Sequence, residues 1–157
     1  MKTARILVVD DEITIRHLLE DFFCGLGYEV VAAANGAEAL RIIGEEDFDC
    51  VISDHVMPDM DGLELLKEIR AQNRKMVFLM ITGYPTIEVA VEAMKQGAYD
   101  YITKPLQLDD VKMKVNRALL TKHLEKSVKK LTGIAWGIII SIPIWLILGI
   151  LVGKIWR

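Results

Sequence analysis

The chain has 157 residues, is 52% hydrophobic and carries a formal net charge of −3; that is enough apolar material for one packed domain plus an appendage. The charge is unevenly divided: residues 1–121 hold 13 Lys/Arg against 21 Asp/Glu, a net of −8, and residues 122–157 hold 6 against 1, a net of +5. An acidic domain argues against nucleic-acid binding by its own surface, because phosphate contacts need clustered Lys and Arg.

Cys24 and Cys50 lack CxxC spacing and lie inside apolar patterns, so both are expected to be buried, reduced thiols. Ile6–Val9 is too short for the apolar region of a signal peptide and ends in acids, which places the domain in the cytosol.

In chain order, Ile6–Val9 reads as a buried strand ending at Asp10-Asp11-Glu12. A helix follows from Ile13 to Leu26, with Ile15, Leu18, Leu19, Phe22 and Phe23 at helical spacing and Gly25 and Gly27 closing it. Glu29–Ala33 is the second strand. Asn35-Gly-Ala-Glu38 has the form of a capping box for a helix through Ile43, whose apolar side is Ala39, Leu40, Ile42 and Ile43. The third strand, Cys50–Ser53, delivers Asp54 into a Pro/Asp/Gly-rich loop. A short helix over Leu63–Arg70 turns Leu63, Leu66 and Ile69 inward. Met76–Ile81 is a strand ending at Thr82-Gly83, Ile87–Gln96 a helix stopped by Gly97, and Tyr99–Thr103 a strand ending at Lys104-Pro105. The last helix starts near Leu108.

Five strands alternating with five helices, without hairpin signals, predict a doubly wound five-stranded parallel sheet of flavodoxin-like order 2-1-3-4-5. Ligands of such sheets bind beyond the carboxyl ends of the strands, at the switch point between strands one and three. Asp10/Asp11, Asp54, Thr82 and Lys104 each follow the last apolar residue of a strand, so all are expected at one crevice.

Three carboxylates in one crevice repel one another, by roughly 4 kcal/mol for a pair at about 4 Å and an effective dielectric of 20. A hard cation relieves this, and Mg²⁺ suits because it takes one or two carboxylates and leaves positions for phosphate oxygens. The crevice lacks the His/Cys spacing of zinc, and His55 is expected on the opposite face of its strand, in a structural role. A cation, a lysine and a hydroxyl around a carboxylate make a phosphoryl-accepting site with Asp54 as nucleophile. Thr82 can swing its hydroxyl toward new phosphoryl oxygens and Lys104 can pair with them. Tyr101, on the edge strand, is the candidate to pack behind Thr82 and report the change.

Asp10-Asp11, Asp54 with Met57-Pro58 and Gly62, Thr82-Gly83, and Tyr101 with Lys104-Pro105 together resemble the signature of the two-component response-regulator receiver domain. The resemblance covers about residues 3–121, and the stretch from Ile81 to Pro105 is similar to receivers that head AAA+ transcriptional activators. It implies a sensor histidine kinase or phosphotransfer protein as phosphate donor to Asp54. It also implies Mg²⁺ ligation by Asp11, Asp54 and the Val56 carbonyl, with Asp10 acting through a water. Thr82 and Tyr101 would be the coupled switch pair and Lys104 the phosphate contact. No enzymatic activity is then expected beyond the domain's own phosphoryl transfer and slow dephosphorylation. The bulky neighbours Val56 and Tyr84 are expected to slow water attack on the acyl phosphate.

Receivers of that subclass precede an ATPase module and a helix-turn-helix, whereas 36 residues follow Thr121 here, too few for a folded output domain. Leu124, Val128 and Leu131 extend the last helix pattern as a brief seam, open to a coiled-coil or a solvated reading. Residues 122–132 form a basic juxtamembrane linker. Within 133–157, the run 134–153 carries no charge across 20 residues, about 30 Å of helix and the thickness of a bilayer core. Lys122, Lys126, Lys129 and Lys130 precede it, and Trp136 and Trp156 lie near its two ends. The expected anchor is therefore a single-pass helix in the bacterial inner membrane, with a cytoplasmic receiver and contacts to anionic lipid. Pro143 should kink it. Gly133, Gly137, Ser141, Gly149 and Gly153 follow a four-residue ladder broken only by Trp145 and point to a homodimer through that helix.

The expectation is thus a membrane-anchored single-domain response regulator that signals by protein contact. A phosphorelay intermediate or phosphate sink is the second reading. An aspartate-nucleophile phosphatase using Asp10 with Glu12, and a structural tether indifferent to phosphorylation, are the others.

Overall fold

The computed structural model describes residues 3–72, 75–83, 86–122 and 124. The expected juxtamembrane linker and transmembrane helix fall outside these residues, apart from Lys122 and Leu124, as does Tyr84. No helix among the described residues is long and apolar enough to cross a membrane.

Strands β1 (Arg5–Val9), β2 (Glu29–Ala33), β3 (Cys50–Asp54), β4 (Val77–Thr82) and β5 (Asp100–Thr103) form one parallel sheet in the order β2-β1-β3-β4-β5. Helices α1 (Ile13–Gly25), α2 (Gly36–Glu45), α3 (Gly62–Ala71), α4 (Ile87–Lys95) and α5 (108–122) connect or follow them. The fold class and strand order are those expected.

The continuous apolar runs follow from burial on both faces. Side chains alternate across the sheet, and two cores result. Leu7, Val9, Val51, Phe78 and Met80 pack with Ile43 of α2 and Leu65, Leu66 and Ile69 of α3. Ile6, Val8, Ile52, Leu79 and Ile81 pack with Leu19 and Phe23 of α1 and Val111 and Val115 of α5. Each large apolar side chain so buried contributes about 1.5–3 kcal/mol before entropy is counted. The two rows of strand residues thus pack against these four helices.

Local signals set the helix ends. Gly27, at φ 87°, closes α1, with its N–H on the Cys24 carbonyl at 2.9 Å and the Tyr28 N–H on the Phe23 carbonyl at 3.1 Å. Asn35 caps α2 by accepting the Glu38 N–H at 2.9 Å, but the Glu38 carboxylate takes the Ala34 N–H, one residue earlier than a reciprocal box requires. The reciprocal box occurs instead at α3, between Asp61 and Glu64.

Some expected core positions differ. Cys24 is exposed, whereas Cys50 is buried as anticipated. Successive helical residues turn by about 100°, and with Leu19 and Phe23 on the buried stripe, Leu18 and Cys24 face outward, Leu18 at 41% exposure. In α3 Leu66 and Ile69 are fully buried as expected, Leu65 joins them, and Leu63 packs against the core while partly covered.

Candidate functional site

The carboxyl rim is built by short extensions of the ladders. The Asp10 N–H bonds the Ala33 carbonyl at 3.3 Å, which carries the β1 pairing one residue further and seats Asp10 at the rim, wholly buried. Its Oδ1 accepts the Glu12 N–H at 2.8 Å, an Asx-type turn that starts α1. Arg16 secures the same loop by donating to the Asp10 and Asp11 carbonyls at 2.6 and 3.0 Å.

Asp54 is the last residue of β3 and only 5% exposed. Its Oδ1 accepts the His55 N–H at 3.0 Å. The loop after it returns to the strand, and the Gly62 N–H bonds the His55 carbonyl at 2.8 Å. A Cβ on Gly62 would lie 2.3 Å from the Asp54 carbonyl oxygen, so only glycine allows this closure. On the far side, the Lys104 N–H bonds the Thr82 carbonyl at 2.8 Å. That bond extends the β4–β5 ladder and aims Lys104 back across the rim.

Lys104 Nζ lies 3.3 Å from Asp54 Oδ2, 3.4 Å from Asp10 Oδ2 and 3.2 Å from Glu12 Oε1. Asp10, Asp11 and Asp54 each offer a carboxylate oxygen within 4.8 Å of the others. Asp11, Glu12, Asp54, Val56, Gly83 and Lys104 line the crevice between them. The structure therefore brings together Asp10, Asp11, Asp54, Val56 and Lys104, and Thr82 lies buried at the end of β4 one residue from Gly83.

The electrostatics are strained in one direction. Burial pushes the Asp54 carboxyl above the usual range, with Lys104 and the His55 N–H opposing and Asp11 adding to the rise. Burial also raises Asp10, opposed by the Glu12 N–H and Lys104 and reinforced by the Asp54 charge. For Lys104, burial alone would lower the pKa, but Asp10, Asp54 and Glu12 outweigh it and the net direction is upward. One permanent cation thus serves a group of acids that burial disfavours in their charged form. A hard divalent cation matches that all-oxygen donor set.

The β4–β5 register sets Tyr101 opposite Met80, two residues before Thr82 on the same face of β4, and Thr103 opposite Thr82. Tyr101 is 37% exposed. Its N–H bonds the Asp100 carboxylate at 2.8 Å, its carbonyl accepts from Lys114 Nζ at 3.1 Å, and that ammonium lies 5.9 Å from its ring centre. The Asp100–Lys114 pair at 2.7 Å therefore stands beside Tyr101 at β5. Lys114 and Glu12 were not anticipated as partners of Tyr101 and Lys104. The Glu12–Lys104 contact joins residues 92 positions apart, which residue spacing cannot signal, whereas Lys114 reaches Tyr101 from the helix that directly follows β5.

Comparison with known proteins agrees with this geometry. Residues 6–116 match the response regulator receiver domain family. The chain is 38% identical over 142 residues to regulatory protein AtoC of Escherichia coli (strain K12), covering 87% of this chain and 31% of that protein. It is 43% identical over 122 residues to transcriptional regulatory protein ZraR of Klebsiella oxytoca, covering 78% and 28%. It thus spans less than a third of the length of either curated relative. A solved CheY-like receiver domain from Methanospirillum hungatei JF-1 superposes with a TM-score of 0.76 at 35% identity, covering 79% of this chain and 99% of that one. The chain belongs to the response regulator receiver domain family.

Proposed function

We propose that this chain is a membrane-anchored response regulator that accepts a phosphoryl group on Asp54 from a histidine kinase or phosphotransfer protein and signals through protein contact. The placement of Asp54 supports this most: a nearly buried carboxylate with Oδ2 3.3 Å from Lys104 Nζ and two further carboxylates beside it.

In the transfer, an Asp54 Oδ lone pair forms the new P–O bond. The bond from phosphorus to the donor imidazole nitrogen breaks, and its electron pair stays on that nitrogen. Lys104 already stands beside the attacking oxygen and can follow the charge onto the phosphoryl oxygens. Thr82, at the end of the neighbouring strand, is the hydroxyl placed to answer them. Asp10, Asp11 and Asp54, with the Val56 carbonyl, are the donors that would hold Mg²⁺. When bound, that ion offsets the negative charge of the carboxylates and of the phosphoryl group. The site residues thus supply the acceptor, the counter-charge and the switch, and the domain catalyses no reaction other than its own modification.

Tyr101 is the proposed second half of the switch. A phosphoryl group that draws Thr82 inward would favour a minor form in which Tyr101 leaves the surface. The surface carrying the change would then contact a protein; a net charge of −8 over residues 1–121 suits it poorly to nucleic-acid phosphates.

The anchor is supported by the uncharged run 134–153 and its basic flank. It would place the receiver on the cytoplasmic side of the inner membrane, where the donor kinase has ATP. The ladder from Gly133 to Gly153 supports pairing of two such helices. Fractionating cells that express the full chain tests the anchor. The protein should stay with membranes through alkaline carbonate extraction, and release into the wash would refute the anchor and leave the receiver standing.

A further inference from the structure

The Lys104 ammonium has three N–H donors, and three carboxylates stand around it: Asp10, Glu12 and Asp54, at 3.4, 3.2 and 3.3 Å. A phosphoryl oxygen can reach Lys104 only by displacing one of them. Asp10 is wholly buried, and its other oxygen is held by the Glu12 N–H. Asp54 is the acceptor itself and remains in place throughout.

Glu12 differs on both counts. Its side chain is 60% exposed and lines the crevice. It sits at the N-cap of α1, yet makes no side-chain capping bond. Its backbone alone holds the helix start, with its N–H on Asp10 and its carbonyl accepting the Ile15 and Arg16 N–H groups, each at 3.1 Å. Glutamate is also not among the side chains that cap well from this position. The carboxylate is spent instead on a lysine 92 positions away, and it can leave without disturbing α1. Arg16, in the first turn of α1, is bonded to the Asp10 and Asp11 carbonyls.

We propose that Glu12 is the exchangeable counter-ion of Lys104: it holds the place a phosphoryl oxygen will take, and so selects against small anionic phosphodonors. This rests on the reading of Asp54 as the phosphoryl acceptor. Glu12 takes no part in bond making. With acetyl phosphate, an Asp54 oxygen lone pair forms the P–O bond, the acyl oxygen–phosphorus bond breaks, and acetate leaves with its electron pair. Glu12 adds a negative charge at the mouth that opposes the donor's entry, and it occupies Lys104, the ammonium that a phosphoryl oxygen would pair with. A protein donor, which brings its phosphoryl group already oriented, depends less on that competition.

The test uses the full chain in detergent with Mg²⁺, and compares wild type, Glu12→Gln and Glu12→Asp for the rate of Asp54 phosphorylation. Glu12→Gln should accept phosphate from acetyl phosphate about three- to tenfold faster at low ionic strength. The gain should be smaller with the less charged phosphoramidate and should shrink in molar salt. Glu12→Asp, which keeps the charge, should stay within about twofold of wild type. Independently, the Lys104 ammonium resonance of the metal-free protein should exchange faster with water in Glu12→Gln. A Glu12→Gln rate at or below that of wild type, or an unchanged Lys104 resonance, overturns the counter-ion role. Wild type that takes no phosphate on Asp54 removes the receiver reading itself, so the two failures are distinguishable.

Discussion

The two rims of the sheet are built from the same kinds of residue and do opposite things. At the amino rim, Arg5 donates to Glu29 at 2.7 Å, to Glu46 and to the Asp47 carbonyl, and its guanidinium lies 5.0 Å from the Phe48 ring centre. Asp49 closes the clasp by accepting the Arg5 N–H at 3.2 Å and donating its own to the Arg5 carbonyl at 2.9 Å. The carboxylates there are half-exposed, so their charges cost little. At the carboxyl rim, Asp10 and Asp54 are buried and share one lysine with Glu12. Each rim sets one cation among several carboxylates, and burial makes the difference: half-exposed acids around Arg5 form a structural clasp. Buried acids around Lys104 form a crevice that a divalent cation would relieve.

Breaking the geometry of the carboxyl rim should have the largest effect. Gly62→Ala places a methyl group 2.3 Å from the Asp54 carbonyl oxygen. We expect a loss of about 2–3 kcal/mol in urea unfolding together with loss of phosphorylation on Asp54. A stable, active Gly62→Ala would show that the loop closure is not what holds Asp54.

Relieving the carboxyl rim should be stabilising. Burial is the largest cause of the raised Asp10 pKa, so the folded domain holds that proton more tightly than the unfolded chain. Stability contributed by the neutral form is present at low pH and is lost as pH rises from the ordinary carboxyl range through the raised value. Metal-free Asp10→Asn should therefore melt higher than wild type at pH 7, and the gap should close in acid. Adding Mg²⁺ should raise the melting temperature of wild type more than that of the variant. A lower-melting Asp10→Asn in chelator would contradict the excess-charge account.

The amino rim should respond more mildly and without functional cost. Arg5→Ala removes part-exposed ion pairs and one ring contact, which together come to about 1–2 kcal/mol. The rate of Asp54 phosphorylation should not change once the variant is folded. A matching drop in that rate would mean the two rims are coupled through the sheet.

These differences also mark what the sequence could reveal. Ile6–Val9, Cys50–Ile52 and Met76–Ile81 are uninterrupted apolar runs that stop at acids or a hydroxyl, and a parallel sheet buried on both faces demands that pattern. Asp10, Asp54, Thr82 and Lys104 were legible for the same reason, because each ends or directly follows a strand, whereas Val56 came only from the family resemblance. The Glu12–Lys104 contact was not, since β1 and β5 are separated by β3 and β4 in the sheet and only long side chains bridge them. Lys114 approaches Tyr101 from α5, and periodicity gives a face but not a partner. Leu18 and Cys24 are exposed beside the buried Leu19 and Phe23, because a broad apolar stripe leaves the centre of a buried face undetermined.

The most direct test of the central claim is to locate the phosphate. Full-length protein treated with acetyl phosphate and Mg²⁺, trapped chemically and mapped by mass spectrometry, should carry one modification on Asp54, absent from Asp54→Asn. A modification on Asp10, or an Asp54→Asn protein labelled as fully as wild type, would contradict the account.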